Sequence, residues 1–454
     1  MTSKAGKRLR LFLAGAALIA GGAAALVFSG VWPVFYKREF SENDFAPQAL
    51  DYALIAFDDI QGWRQDDPGP ALEAFVRSCE TFEKRGPDEP ANPMENLGPA
   101  YEGRTFAGTV ADWLRPCSEA RALLVSAYSD PGVRRGALRA YFEFHFRPVR
   151  VFGRRDPKPD GRARNWPARI DRTGLFTGYY EPVYRASRMR TLQFSAPVLP
   201  RPDDLIEVDL GAFRPNLAGE RIAGRVANGR LTPYPDRKEI EAAGADAPLA
   251  FVDPNDLFFL QIQGSGRLVF APRDEMRVGY DGQNGHPYTA IGRVLVARGI
   301  MPLETVTMQR IRQWLDAASP EEAKALRDEN ASYVFFRPLD QALSPDLGPP
   351  GAQGAALTPG RSLAVDRRYT TLGAPVWIDV KPEPGAGGGP IRRLMIAQDT
   401  GGAIKGPVRG DVFWGSGPVA GDQAGAMRSR GAMIVLLPRR VADALAEPGA
   451  GTAP

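Results

Sequence analysis

The sequence predicts a mainly β protein with helices near its N-terminus, on three observations. Residues 45–146 carry apolar side chains at helical spacing. From residue 173 the chain turns to apolar and aromatic runs broken by glycine. The 49 Gly and 41 Pro favour many turns and short strands over a helical bundle. A hydrophobic fraction of 44% in 454 residues supports a sizeable core and excludes global disorder. That length suits about two or three domains. A net charge of +4 is too small to argue for nucleic acid. With only two His and two Cys, a His- or Cys-rich zinc site has no basis, and a Ser-His-Asp system would need His145 or His286.

The first element is a leader. Lys4, Lys7, Arg8 and Arg10 precede a stretch from Leu11 to Tyr36 without any charge, which suits a bilayer span with the remainder sent outward. An uncleaved anchor and a cleaved export signal both fit. No Cys follows the run, so a lipid-modified N-terminal cysteine is excluded. An exported chain can join Cys79 to Cys117 as a disulfide; the alternative is two buried thiols.

Three helical segments follow: "ALDYALIAFDDI", "ALEAFVRSCETF" and "SEARALLVSAYS". Asp130-Pro131 opens a fourth, with Asp at the cap and Pro in the first turn. Residues 147–172 read as a loop of nine basic and three acidic residues, either solvated or drawn to anionic lipid or polymer. "GLFTGYYEPVY" and "DLFFLQIQGSGRLVF" read as β-like. "LETVTMQRIRQWLDAA" and "SPEEAKALRDEN" read as a helix pair, the second opened by a capping box of Ser319 and Glu322 around Pro320. Residues 343–360 form a loop or linker. Short strands come next, "RSLAVD", "APVWIDV", "RRLMIAQD", "DVFWGSG" and "GAMIVLLP", which suggest a small closed barrel. "EPGAGGGP" at 383–390 reads as a flexible hairpin tip, and the last ten residues as disordered.

Three constellations could carry chemistry. "GGAIKG", with Gly401, Gly402, Lys405 and Gly406, lacks the spacing and the Lys-Ser/Thr of a phosphate loop. Ser265 in "QGSG" lacks nucleophile-elbow spacing and reads as a polar contact in a turn where a ligand can approach the backbone. The carboxylates remain. Asp399 ends an apolar strand before a glycine run, where it either accepts backbone N–H bonds or faces a ligand. Asp411 stands at a strand start near Phe413 and Trp414. An acid beside an aromatic in a dry cleft holds its proton more tightly, as a general acid needs.

At this point "LAVD", "TTLGAPVWI", "AQDTGGAIKG", "GD" and "WGSG" resemble the three-aspartate barrel domain of the membrane-bound lytic murein transglycosylase A family. Upstream, "GLFTGYYEPVY", "FLQIQGSGRL", "YDGQNGHPYTAIGRVL" and "YVFFR" resemble its other signatures in order, over about residues 150–440. The resemblance implies a double-psi six-stranded β-barrel domain plus an inserted smaller β domain, with a groove between them. It divides the chain into 1–40 (signal or membrane anchor), 41–182 (helical part and first barrel segment), 183–335 (insert), 336–440 (three-aspartate barrel segment) and 441–454 (disordered tail).

Peptidoglycan glycan strands are the implied substrate. The bond between N-acetylmuramic acid and N-acetylglucosamine would be cut without water, leaving 1,6-anhydro ends. Asp411 matches the family's catalytic aspartate, first acid and then base, and Asp399 and Asp366 match its supporting aspartates. Tyr179, Tyr180, Gln263, Gly264, Ser265, Asn284, Gly285 and Trp414 match substrate-binding positions. The resemblance implies no cofactor or metal. It implies a location on the periplasmic face of the cell envelope, membrane contact through the N-terminal segment, and cell-wall synthesis or division proteins as candidate partners. Two other readings compete. A silent glycan-binding module would tolerate Asp411→Asn. An ordinary hydrolase would need a second carboxylate across the groove, such as Glu181 or Asp281.

Overall fold

The computed structural model describes residues 48–97, 105–159, 166–214, 217, 221–244, 247–272, 274–339, 344–382, 389–401 and 404–446. The leader, most of the 383–390 hairpin tip, Gly402 and the last eight residues lie outside them. The chain divides into two compact units, Met1–Gln48 with Arg155–Arg169, and Ala49–Arg154 with Ile170–Pro454. Of the first, only residues 48, 155–159 and 166–169 are described. The second carries the elements that position the site. Among the described residues no helix is long and apolar enough to cross a membrane.

Strand β1 (Ala49–Leu54) occupies a segment whose local pattern reads as helix. Leu50 and Tyr52 alternate inward, and the strand pairs antiparallel with β2 (Phe146–Arg155), from Ala49 opposite Arg154 to Leu54 opposite Val149. Apolar spacing over six residues fits both periods, and a distant partner decides between them. The same pairing corrects the first part of the basic loop. Val149 and Val151 point inward, so arginines in this stretch belong to a strand. Between β1 and β2 lie α1 (Gly69–Phe82), α2 (Val110–Leu124) and α3 (Pro131–His145). Asp130 caps α3, accepting from the Val133 amide at 2.8 Å. A Cys79–Cys117 disulfide joins α1 to α2. Phe82 stacks on Trp113 at 5.3 Å, and Phe75 meets Phe146 edge-on at 5.7 Å, so the helices share a core with the sheet.

After β3 (Arg169–Asp171) and β4 (Gly174–Glu181) the inserted segment begins. It holds three small sheets. One pairs β6 (Ala196–Val198) with β10 (Ala250–Val252). Another runs through β7 (Ile206–Asp209), β8 (Arg221–Ala227) and β9 (Arg230–Pro233). The third joins β5 (Val183–Arg185), β11 (Ser265–Ala271), β12 (Asp274–Gln283) and β13 (Val334–Pro338).

Among its described residues the insert also has five α-helices, more than a β domain implies. They are α4 (Arg237–Ala243), α5 (Pro254–Gln263), α6 (Ile291–Ala297), α7 (Met308–Ala317) and α8 (Pro320–Asp328). "DLFFLQIQ" forms α5 rather than a strand. Asp253 accepts from the Asn255 and Asp256 amides, Pro254 fills the first turn, and Gly264 at φ 76° ends the helix. Those start and stop signals outweigh the aromatic composition. The Ser319 capping box forms as read, with Ser319 and Glu322 satisfying each other's amides.

The C-terminal part supplies β14 (Ser362–Val365), β15 (Pro375–Lys381), β16 (Ile391–Asp399), β17 (Arg409–Ser416) and β18 (Arg428–Pro438). With β4 they close a ring of six strands, β18-β15-β16-β14-β17-β4, sealed by β4 pairing back onto β18. Two neighbours run parallel, β14 with β16 and β17 with β4, so the ring is not a simple up-and-down barrel. Helix α9 (Gly417–Ala426) links β17 to β18, and Pro418 in its first turn suits a helix start. The expected tail begins as helix α10 (Arg439–Ala446), because Val441, Ala442 and Leu445 bury one apolar face.

Candidate active site

The three aspartates converge because two strands flank β14. Ala364 lies opposite Asp411 on antiparallel β17 and opposite Asp399 on parallel β16. Asp366 follows two residues later on the same chain. Residues distant in sequence thus meet at one end of the ring.

Each carboxylate has a different environment. Asp411 pairs in register with Thr177 on β4, whose hydroxyl donates to Oδ1. Arg409 donates to the same Oδ1 at 2.5 Å and to the Thr177 hydroxyl at 3.0 Å. The Asp411 side chain stays 18% exposed, so this network leaves it reachable. Asp399 accepts the Ala352 and Thr400 amides on Oδ1, each at 2.9 Å, and the Tyr179 hydroxyl on Oδ2 at 2.9 Å. Burial pushes the Asp399 carboxyl up; its three donors oppose that push and Asp411 adds to it. Tyr179 is likewise pushed well up, by burial first and then by Asp399 and Asp411. Asp366 is 5% exposed and accepts the Gly406 amide at 2.7 Å and the Arg368 guanidinium at 2.6 and 3.0 Å. Burial raises its carboxyl, but Arg368 and the two amides outweigh burial and hold it below the usual range. It pins the loop after Asp399 to the end of β14.

The ring beside the acids is Tyr179, 5.3 Å from Phe413, rather than Trp414. Asp411 and Phe413 share one side of β17. Trp414 takes the other, where its indole covers Gly178 so closely that a Cβ there would lie 2.7 Å from Nε1. Tyr180 also leaves the Asp411 side. It lines a cleft of about 190 Å³ with Phe259, Arg312 and Gly421, between α9 and the insert.

On the insert, Gln263, Gly264 and Ser265 end α5 and start β11. The following residues abut Pro182, whose carbonyl accepts the Arg267 amide at 2.8 Å. These three therefore reach the junction below β4.

Asn284 does not offer itself to a sugar. It is 1% exposed, donates to the Pro235 and Ala331 carbonyls at 2.9 Å each, and accepts the Tyr333 amide at 2.9 Å. Its side chain is consumed by backbone stapling. Gly285, at φ 79°, presses against Ala223 and lines a separate cleft of about 350 Å³ with Ile222, Leu231 and His286. Glu181 is buried against Arg267, whereas Asp281 lies 3.7 Å from Arg337 with its side chain 33% exposed. His145 pairs with Glu119, and the His286 ring nitrogen meets the Tyr234 carbonyl; neither contact is with Ser265.

Sequence reasoning missed Thr177 and Arg409. Arg409 stands two residues before Asp411, so strand alternation alone places it on the same face. Thr177 had no such signal, because its contact depends on the parallel register of β4 and β17.

Comparison with known proteins gives a consistent outcome. Residues 175–337 match the MltA specific insert domain, and residues 361–437 match the 3D domain. The membrane-bound lytic murein transglycosylase A of Escherichia coli K12 is 34% identical over 268 residues, 58% of this chain and 65% of that protein. Its counterpart in Vibrio cholerae is 30% identical over 257 residues, 55% of this chain and 62% of that protein. The chain therefore spans slightly less than two thirds of the length of these relatives. A crystal structure of a membrane-bound lytic murein transglycosylase from Agrobacterium tumefaciens aligns with TM-score 0.67 and 30% identity, over 87% of this chain and 99% of that one. MltA from Neisseria gonorrhoeae aligns with TM-score 0.66 and 30% identity, over 86% and 93%.

Proposed function

The chain belongs to the membrane-bound lytic murein transglycosylase A family, and from that premise we propose that it cleaves the β-1,4 bond between N-acetylmuramic acid and N-acetylglucosamine in peptidoglycan. The glycan lies in a groove between the ring, read as a double-psi barrel, and the insert. Asp411 protonates the glycosidic oxygen. As carboxylate it then takes the proton of the muramyl C6 hydroxyl while that oxygen attacks C1, and the product carries a 1,6-anhydro ring. The attacking group belongs to the substrate, so its effective concentration is high and no second catalytic carboxylate is needed.

The observation that carries this reading is the placement of Asp411. Among the described residues its Oδ1 takes both contacts, from Thr177 and Arg409, which leaves Oδ2 for the substrate proton. Arg409 stabilises the carboxylate formed when that proton departs. Asp399 and Asp366 act as supports, because their oxygens hold loop amides. Tyr179 holds Asp399 and presents its ring beside Phe413, where a sugar face can stack. Gln263 to Ser265 contribute polar contacts from the insert. The burial of Glu181 against Arg267 speaks against its service as the second carboxylate of an ordinary hydrolase. The enzyme works in the cell envelope on the periplasmic face, held or exported by its N-terminal segment.

The test is digestion of purified peptidoglycan by the full chain, read by mass spectrometry. Wild type releases 1,6-anhydromuropeptides and Asp411→Ala does not. Reducing ends without the anhydro ring would reassign the protein as a hydrolase. An Asp411→Asn variant as active as wild type would remove this acid from the chemistry.

A further inference from the structure

Glu181 is the last residue of β4, and the chain enters the insert directly after it. It is 1% exposed. Its carboxylate accepts from Arg267 Nε at 2.8 Å and from Ser416 Oγ at 2.5 Å, and lies 3.4 Å from Arg277 Nε. Arg267 stands on β11 and Arg277 on β12, both in the insert, with side chains 11% and 6% exposed. Ser416 ends the strand that carries Asp411.

The same two guanidiniums grip the chain where it returns to the barrel. Arg277 donates to the Leu347 carbonyl at 2.5 Å, and Arg267 donates to the Pro345 carbonyl at 2.8 Å. Both crossings between the lobes thus pass through one buried carboxylate. Burial pushes that carboxyl up, against the pull of Ser416 and Arg267. Glu275, 3.8 Å from Arg267, adds a second negative charge at the rim.

Apolar packing does not do this job. The large buried cluster draws on the N-terminal helices and the ring, from Leu50 to Val151 with Phe176, and from Leu363 to Leu445. The three smaller clusters draw only on residues between Ala186 and Phe336. Among the described residues no buried apolar cluster spans both lobes. A planar guanidinium fork fixes direction as well as contact, and a buried ion pair is weak evidence for net stability.

We propose that Glu181 is a positioning residue: through Arg267 and Arg277 it sets the angle of the insert on the barrel, and so the place of Gln263–Ser265 relative to Asp411. Only the kinetic part of its test rests on the glycan-cleaving function.

The test labels the full chain with spin probes at Val125→Cys on the helical side and Leu303→Cys on the insert, both exposed, with the native disulfide intact. The unmodified junction gives one narrow distance distribution, and Glu181→Gln broadens it by about twofold or more. On peptidoglycan, Glu181→Gln raises KM about fivefold with kcat held within about twofold. Glu181→Asp recovers part of both effects. An unchanged distance distribution in Glu181→Gln would overturn the proposal, as would a fall in kcat at constant KM. If Glu181→Gln does not fold, Arg277→Lys keeps the charge, loses the fork and is read the same way. The distance measurement needs no substrate, so a wild type that yields no anhydro ends defeats the activity and leaves this inference standing.

Discussion

Around the ring, Asp411 keeps its two protein contacts on a single oxygen, whereas in the insert Asn284 spends both polar atoms of its side chain on four backbone groups. Arg237 does the same as Asn284, donating to the Asn330 and Ser332 carbonyls while 1% exposed. The cause lies in how each region satisfies its backbone. A closed ring pairs its own N–H and C=O groups along six strands, so at its end the side chains of Asp399 and Asp366 hold no backbone groups but loop amides, and among the described residues that of Asp411 holds none. The insert has short sheets joined by irregular segments, and its buried carbonyls need side-chain donors. Polar residues that look alike in sequence therefore differ in what the fold asks of them: Asn284 is consumed by backbone groups, and Asp411 is not.

Four measurements break or sharpen that contrast. The largest effect is on activity. Asp411→Asn should lower kcat by about a thousandfold, the range of a lost general acid and base, while chemical denaturation shows a stability cost of at most about 2 kcal/mol from the unpaired Arg409. Next comes the helical flank. Cys79→Ser opens a loop with a sequence separation of 38, and the denaturation midpoint should report a loss of about 4 kcal/mol. Asn284→Ala should cost about 3 kcal/mol, because two carbonyls and two amides lose a partner, with kcat preserved. A large kcat loss in a stably folded Asn284→Ala would mean that the insert also carries chemistry.

The smallest effect separates two neighbouring aspartates by pH. The folded-state carboxyl of Asp366 is depressed, so its stabilisation is present above the unfolded carboxylate range and is lost as pH falls through the folded value. Asp399 is raised, so its contribution is fullest below the unfolded value and is lost as pH rises through the folded one. Urea denaturation between pH 3 and 7 should show wild type gaining on Asp366→Asn as pH rises and losing ground to Asp399→Asn. Parallel curves for the two variants would remove the distinction.

How much was legible followed how local each signal was. The caps at Asp130 and Ser319 read correctly because donor and acceptor lie within three residues. The strands of the C-terminal ring read correctly because their alternation and Gly/Pro turns are contiguous. β1 and α5 read wrongly. In β1 six residues fit two periods, and in α5 aromatic composition masked the Asp253-Pro254 start. The motifs point to Asp411, Asp399 and Asp366, and the register of β14 brings Asp399 and Asp411 to either side of Ala364. Asn284 and Trp414 were also named by motif, but their surroundings turn one into a backbone staple and set the other across the strand from Asp411.

By itself the sequence determined the helical flank with its two cysteines, the order of short strands and the three acids of the C-terminal segment, since spacing, capping and turn chemistry act over a few residues. Tertiary structure alone decided that Thr177 and Arg409 would share one oxygen of Asp411, that burial would prevail at Asp399 and be outweighed at Asp366, and that Glu181 would meet two arginines of another lobe. Those outcomes depend on register between strands as far apart as 234 residues, and neither strand encodes in isolation which partner residue will face it.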